Sequence, residues 1–80
     1  MRYGTRTKLS TSEVLTKAEA YFGEGGLGLQ VTSRDECCLS LAGGGGHVTV
    51  TVTAGDKTSV DVETQEWDYQ VKSFIAAGLK

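Results

Sequence analysis

Eighty residues with a net charge of −2 leave room for one hydrophobic core, and they lack the broad positive field with which most nucleic-acid binders gather phosphates. The apolar fraction of 39% and charged fraction of 22% are those of a lean globular chain. No run approaches the ~20 apolar residues of a membrane span, and the N-terminus has no leader-like apolar segment. The expectation is a single domain over 1–80, cytoplasmic, with no nucleic-acid or membrane partner.

Residues 2–9 alternate: Tyr3, Thr5, Thr7 and Leu9 share one side, and Arg2, Gly4, Arg6 and Lys8 the other. This period of two predicts a half-buried strand. Ser10-Thr11-Ser12-Glu13 then fits a capping box, with the Ser10 hydroxyl accepting from the amide three residues on and Glu13 reaching back to the cap. Val14, Leu15, Ala18, Tyr21 and Phe22 form one helical stripe, so a helix is predicted over 11–22, with Gly23 as its left-handed terminator.

Beyond the glycine-rich joint, Leu27, Leu29 and Val31 alternate with polar or small residues, as do Cys37, Leu39 and Leu41. Two strands are predicted there. After the glycines 43–46 comes the longest alternating run, with Val48, Val50 and Val52 on one face and His47, Thr49, Thr51 and Thr53 on the other. The Gly55-Asp56-Lys57 turn leads to Thr58, Val60 and Val62. Register is tested by requiring inward residues to meet inward residues, because a slip of one residue would turn an entire apolar set to water. That condition sets Leu41 opposite Val48, Leu39 opposite Val50, Val52 opposite Val60 and, with a loop at 33–35, Leu29 opposite Leu39. Thr64 is read as the cap of a last helix, whose buried stripe is Trp67, Val71, Phe74, Ile75 and Leu79.

The expected class is therefore α+β, in the order β-α-β-β-β-β-α, with an antiparallel sheet carrying two helices on one face. The first strand is expected beside the last, with its Arg2, Arg6 and Lys8 near Asp61 and Glu63.

This order, with a strand running into Ser10-Thr11-Ser12-Glu13-Val14-Leu15 and a closing amphipathic helix from Glu66 to Leu79, resembles the helix-grip arrangement of START-like, plant-allergen-like and polyketide-cyclase-like proteins in reduced form. The chain lacks the second short N-terminal helix and two of the strands usual in that arrangement. The resemblance implies a small apolar ligand held between the C-terminal helix and the sheet, for which Val50, Val62, Trp67, Val71 and Phe74 are the candidate lining. The same order also resembles the repeat unit of TATA-binding-protein-like folds, whose open sheet face binds partners.

No catalytic, cofactor or metal constellation emerges from the residues. Gly23 to Gly28 spells G-x-G-x-x-G, but it follows a helix and enters a strand, the reverse of the arrangement that aims helix amides at a pyrophosphate. His47 is the single histidine, and it lies four strand positions from Cys38 in register. At about 3.3 Å per residue that is beyond a nucleophile–base hydrogen bond. Asp61, Glu63, Glu66 and Asp68 occupy ordinary places for solvated acids. Neighbours on a strand point to opposite faces, so Cys37 and Cys38 are expected as one core and one surface thiol without a bond between them; a redox-active pair is the competing reading.

What remains is the outer face of the sheet, where Gln30, Thr32, Ser40, Thr49, Thr51 and Thr53 make a neutral, hydroxyl-rich candidate interaction surface. The functional expectation is a non-enzymatic binding or assembly module acting through that face or an edge strand, on a protein partner or a second copy of itself. The alternative is the reduced helix-grip carrier of a small apolar ligand.

Overall fold

The computed structural model describes residues 2–78. Strands β1 (Arg2–Thr7), β2 (Gln30–Arg34), β3 (Cys38–Gly43), β4 (Gly46–Thr53) and β5 (Thr58–Gln65), with helices α1 (Thr11–Phe22) and α2 (Asp68–Ser73), follow the expected order. A π-helical turn, Phe74–Gly78, continues α2. The sheet is antiparallel with strand order β1-β5-β4-β3-β2, so β1 and β2 are its two edges.

Alternation does most of the positioning. Val48, Val50 and Val52 point inward from β4 and meet Leu41, Leu39, Val60 and Val62 in the register that inward matching requires. Ser10 caps α1 through both halves of the capping box, and Val14, Leu15, Ala18 and Phe22 are buried on the sheet side. Phe22, Tyr21 and Phe74 close the core as a cluster of rings, with centroids 5.0 to 5.4 Å apart, a spacing suited to edge and tilted packing. Buried hydroxyls at the sheet ends are satisfied locally: Thr64 donates to the His47 carbonyl at 2.8 Å and Thr58 to that of Leu9 at 2.6 Å.

Three sequence expectations are corrected. Gly23 has φ −87°, so it is not left-handed; it is needed because a Cβ there would press the Glu19 carbonyl, and the positive angles fall on Gly25 and Gly28 instead. β2 begins at Gln30, with Leu27 and Leu29 in the turn before it, and a bulge between Val31 and Ser33 sets Arg34, not Leu29, opposite Leu39. Leu29 is nonetheless buried, folded in against Gly43. Finally, Thr64 stays in β5 and caps no helix; the chain turns at Glu66, with φ 77°, and α2 starts after Trp67. Trp67, Val71, Phe74 and Ile75 face the core as expected, while Leu79 lies outside the described residues.

Candidate functional site: the outer sheet face and the β2 edge

Cross-strand register assembles the outer face from the expected residues. Ser40 lies directly opposite Thr49, Thr51 opposite Cys38, Thr53 opposite Ser59, and Gln30 opposite Ala42. Thr32 sits at the bulge and donates its hydroxyl to the Ser40 carbonyl at 3.2 Å. Five of the six candidates thus join one patch through β2, β3 and β4, and Thr53 marks its far corner. Toward β5 and β1 the face changes character: Asp61 pairs with Arg2 at 3.3 Å, and Glu63 Oε1 stands 3.7 Å from His47 Nε2. The outer face is therefore neutral on one half and charged on the other.

The edges differ in the same way. β1 carries Arg2 and Arg6, exposed; Tyr3, on its inner side, donates to Asp68 Oδ1 at 3.2 Å and lies under Lys72, whose Nζ is 5.7 Å from the ring centroid. Desolvation, then the hydrogen bond to Asp68 and that carboxylate's charge, hold the Tyr3 phenol above its ordinary pKa. On β2 all five residues are exposed, and its one charge, Arg34, is drawn inward to Glu19 of α1. Val31, 39% exposed, and Leu27, 37% exposed, add apolar surface beside it. A concavity lined by Thr16, Glu19, Ala20, Leu29, Gln30 and Val31 runs between α1 and this edge.

Trp67 and the glycines 43–46 form a clamp that sequence spacing does not disclose. The indole Nε1 donates to the Gly43 carbonyl at 3.0 Å. A Cβ on Gly44 would come within 2.7 Å of the same ring, and one on Gly46 would collide with the Gln65 carbonyl. Gly44 and Gly46 thus answer to close approach by the chain's own β5–α2 joint and Gly43 to Leu29, while Gly45 stands in open space with a positive φ of 83°.

The candidate pocket residues Val50, Val62, Val71 and Phe74 are 0% exposed members of the packed core, with Trp67 half-buried at its margin. His47 is half-buried, opposite Ala42, and no grouping of metal-ligating side chains occurs among the described residues.

The cysteines are the clearest correction. Cys37 and Cys38 are joined by a disulfide. Cys37 precedes β3 and is exposed, so the alternation that would drive the sulfurs apart does not govern it; Cys38 is half-buried on the outer face, and neither is a core thiol. The adjacency was visible in the sequence, but the position of the strand boundary was not.

Comparison of the chain with protein-family models, curated proteins and solved structures found no match. No helix among the described residues is long and apolar enough to cross a membrane.

Proposed function

We propose that this chain is a small non-enzymatic binding or assembly module that takes up an extended strand along β2, in the simplest case β2 of a second copy. The supporting observation is the exposure of all five β2 residues at the end of the sheet. An edge strand offers unpaired backbone amides and carbonyls on its free side, and proteins ordinarily blunt such edges with charge, proline or bulges. β1 is blunted by two arginines, Arg2 and Arg6, whereas β2 carries one, Arg34, which is paired with Glu19, and a bulge. Antiparallel addition across a two-fold axis is self-complementary, and the exposed Val31 and Leu27 supply the apolar contact that backbone pairing lacks.

The interior supports the carrier reading less well. Phe22 and Tyr21 pack tilted against Phe74 where an apolar ligand would lie.

Sedimentation equilibrium across a hundredfold concentration range tests the proposal. A reversible dimer is expected, weakened at least about tenfold in Kd by Val31→Lys, which sets a charge on the exposed edge strand. Thr51→Arg, on the outer face away from the edge, should leave the Kd within about threefold. A strict monomer at millimolar concentration would remove self-addition.

A further inference from the structure

The Cys37–Cys38 disulfide closes the smallest loop a polypeptide can form. Cross-links stabilise chiefly by restricting the unfolded chain, and the effect grows with the length of chain enclosed. A bond between neighbours encloses almost none. Nor does the pair add to the core, since Cys37 is exposed and Cys38 half-buried. The turn holding it is already closed by backbone hydrogen bonds: the Asp35 amide donates to the Cys38 carbonyl, and the Val52 amide to the Cys37 carbonyl, both at 2.8 Å. The backbone of the hairpin is therefore held by these bonds with or without the link between the sulfurs.

We infer that Cys37–Cys38 is an exchangeable redox centre that accepts two electrons from a dithiol reductant while the fold stays intact. A disulfide in this setting has the marks of the labile class: it is accessible and contributes little to stability. The thiolate of the reductant attacks Cys37 Sγ, on the more exposed residue; a bond forms between the two sulfurs, the Cys37–Cys38 bond breaks, and Cys38 leaves as a thiolate that takes a proton. The second thiolate of the reductant then attacks its own sulfur in the mixed disulfide and expels the Cys37 thiolate, which is protonated in turn. The chain gains two electrons and two protons, and the reductant leaves as a cyclic disulfide. Neither step requires a movement of β3, because Leu39 and Leu41 anchor the strand from the opposite face.

The test is reduction of the folded chain by dithiothreitol without denaturant, followed by alkylation, peptide mapping and intact mass. Two alkylated residues, Cys37 and Cys38, are expected, with near-ultraviolet circular dichroism unchanged and Tm within about 3 °C of the oxidised chain. Removing dithiothreitol and adding the thiol oxidant diamide, which takes up the two electrons and two protons, should restore the intramolecular bond. A monothiol with rapid alkylation should trap the mixed disulfide on Cys37 and the alkyl group on Cys38. The double variant Cys37→Ser with Cys38→Ser separates chemistry from fold, and should keep the Tm while consuming no reductant. Thiols that appear only in denaturant, reduction that abolishes the cooperative transition, or reoxidation only to intermolecular dimers would each overturn the inference.

Discussion

Strand β3 ends in two turns of opposite design. At its C-terminal end the Gly43–Gly46 segment is held without covalent help, by the Trp67 indole and the β5–α2 joint, with space too tight for side chains at Gly43, Gly44 and Gly46. At its N-terminal end the Asp35–Cys38 turn carries the covalent bond, yet it is open to solvent, with Cys37 exposed and Cys38 half-buried. The strength of a link and its importance to the fold are thus inverted. A non-covalent clamp that fills space supports the core, while a covalent bond between neighbours constrains little and leaves its sulfurs available for exchange.

This contrast can be broken by substitution at either turn. The largest effect belongs to Gly46→Ala, whose Cβ would meet the Gln65 carbonyl; since backbone cannot yield as a flexible side chain does, we expect a loss of about 3 kcal/mol in urea unfolding. Next comes Trp67→Phe, which keeps most of the ring but removes the donor to Gly43, for an expected loss of about 1 kcal/mol by the same measurement. The smallest effect is expected from the double change Cys37→Ser and Cys38→Ser, within ~0.5 kcal/mol as for an ordinary surface substitution. A double serine chain that unfolds as readily as the Gly46 variant would reverse the comparison and make the disulfide structural.

The parts of the fold readable from sequence were those governed by local rules repeated over several residues. Helix α1 was legible to its ends because Ser10 and Glu13 form a capping box and Phe22 closes an apolar stripe. The pairing of β3, β4 and β5 followed from alternation, since each alternative register would have put valines in water. Where these rules gave out, long-range contacts decided. Leu29 reads as strand by periodicity but is buried from a turn against Gly43. Thr64 has the side chain of a helix cap, yet its hydroxyl is drawn to the His47 carbonyl across the sheet and keeps the residue in β5. The neutral outer patch was legible for the same reason as the strands; the charge contrast between the two edges became visible only when Arg34 was found turned toward Glu19.

By itself the sequence determined the α+β class, the order of elements, the apolar and hydroxyl-rich faces and most of the register, because hydrophobic periodicity acts residue by residue along the chain. Tertiary structure decided that the glycine run seats a tryptophan, that β2 rather than β1 is the unguarded edge, and that adjacent cysteines meet. Each of these depends on where a strand stops, and the competition between backbone pairing and packing against distant residues sets that boundary.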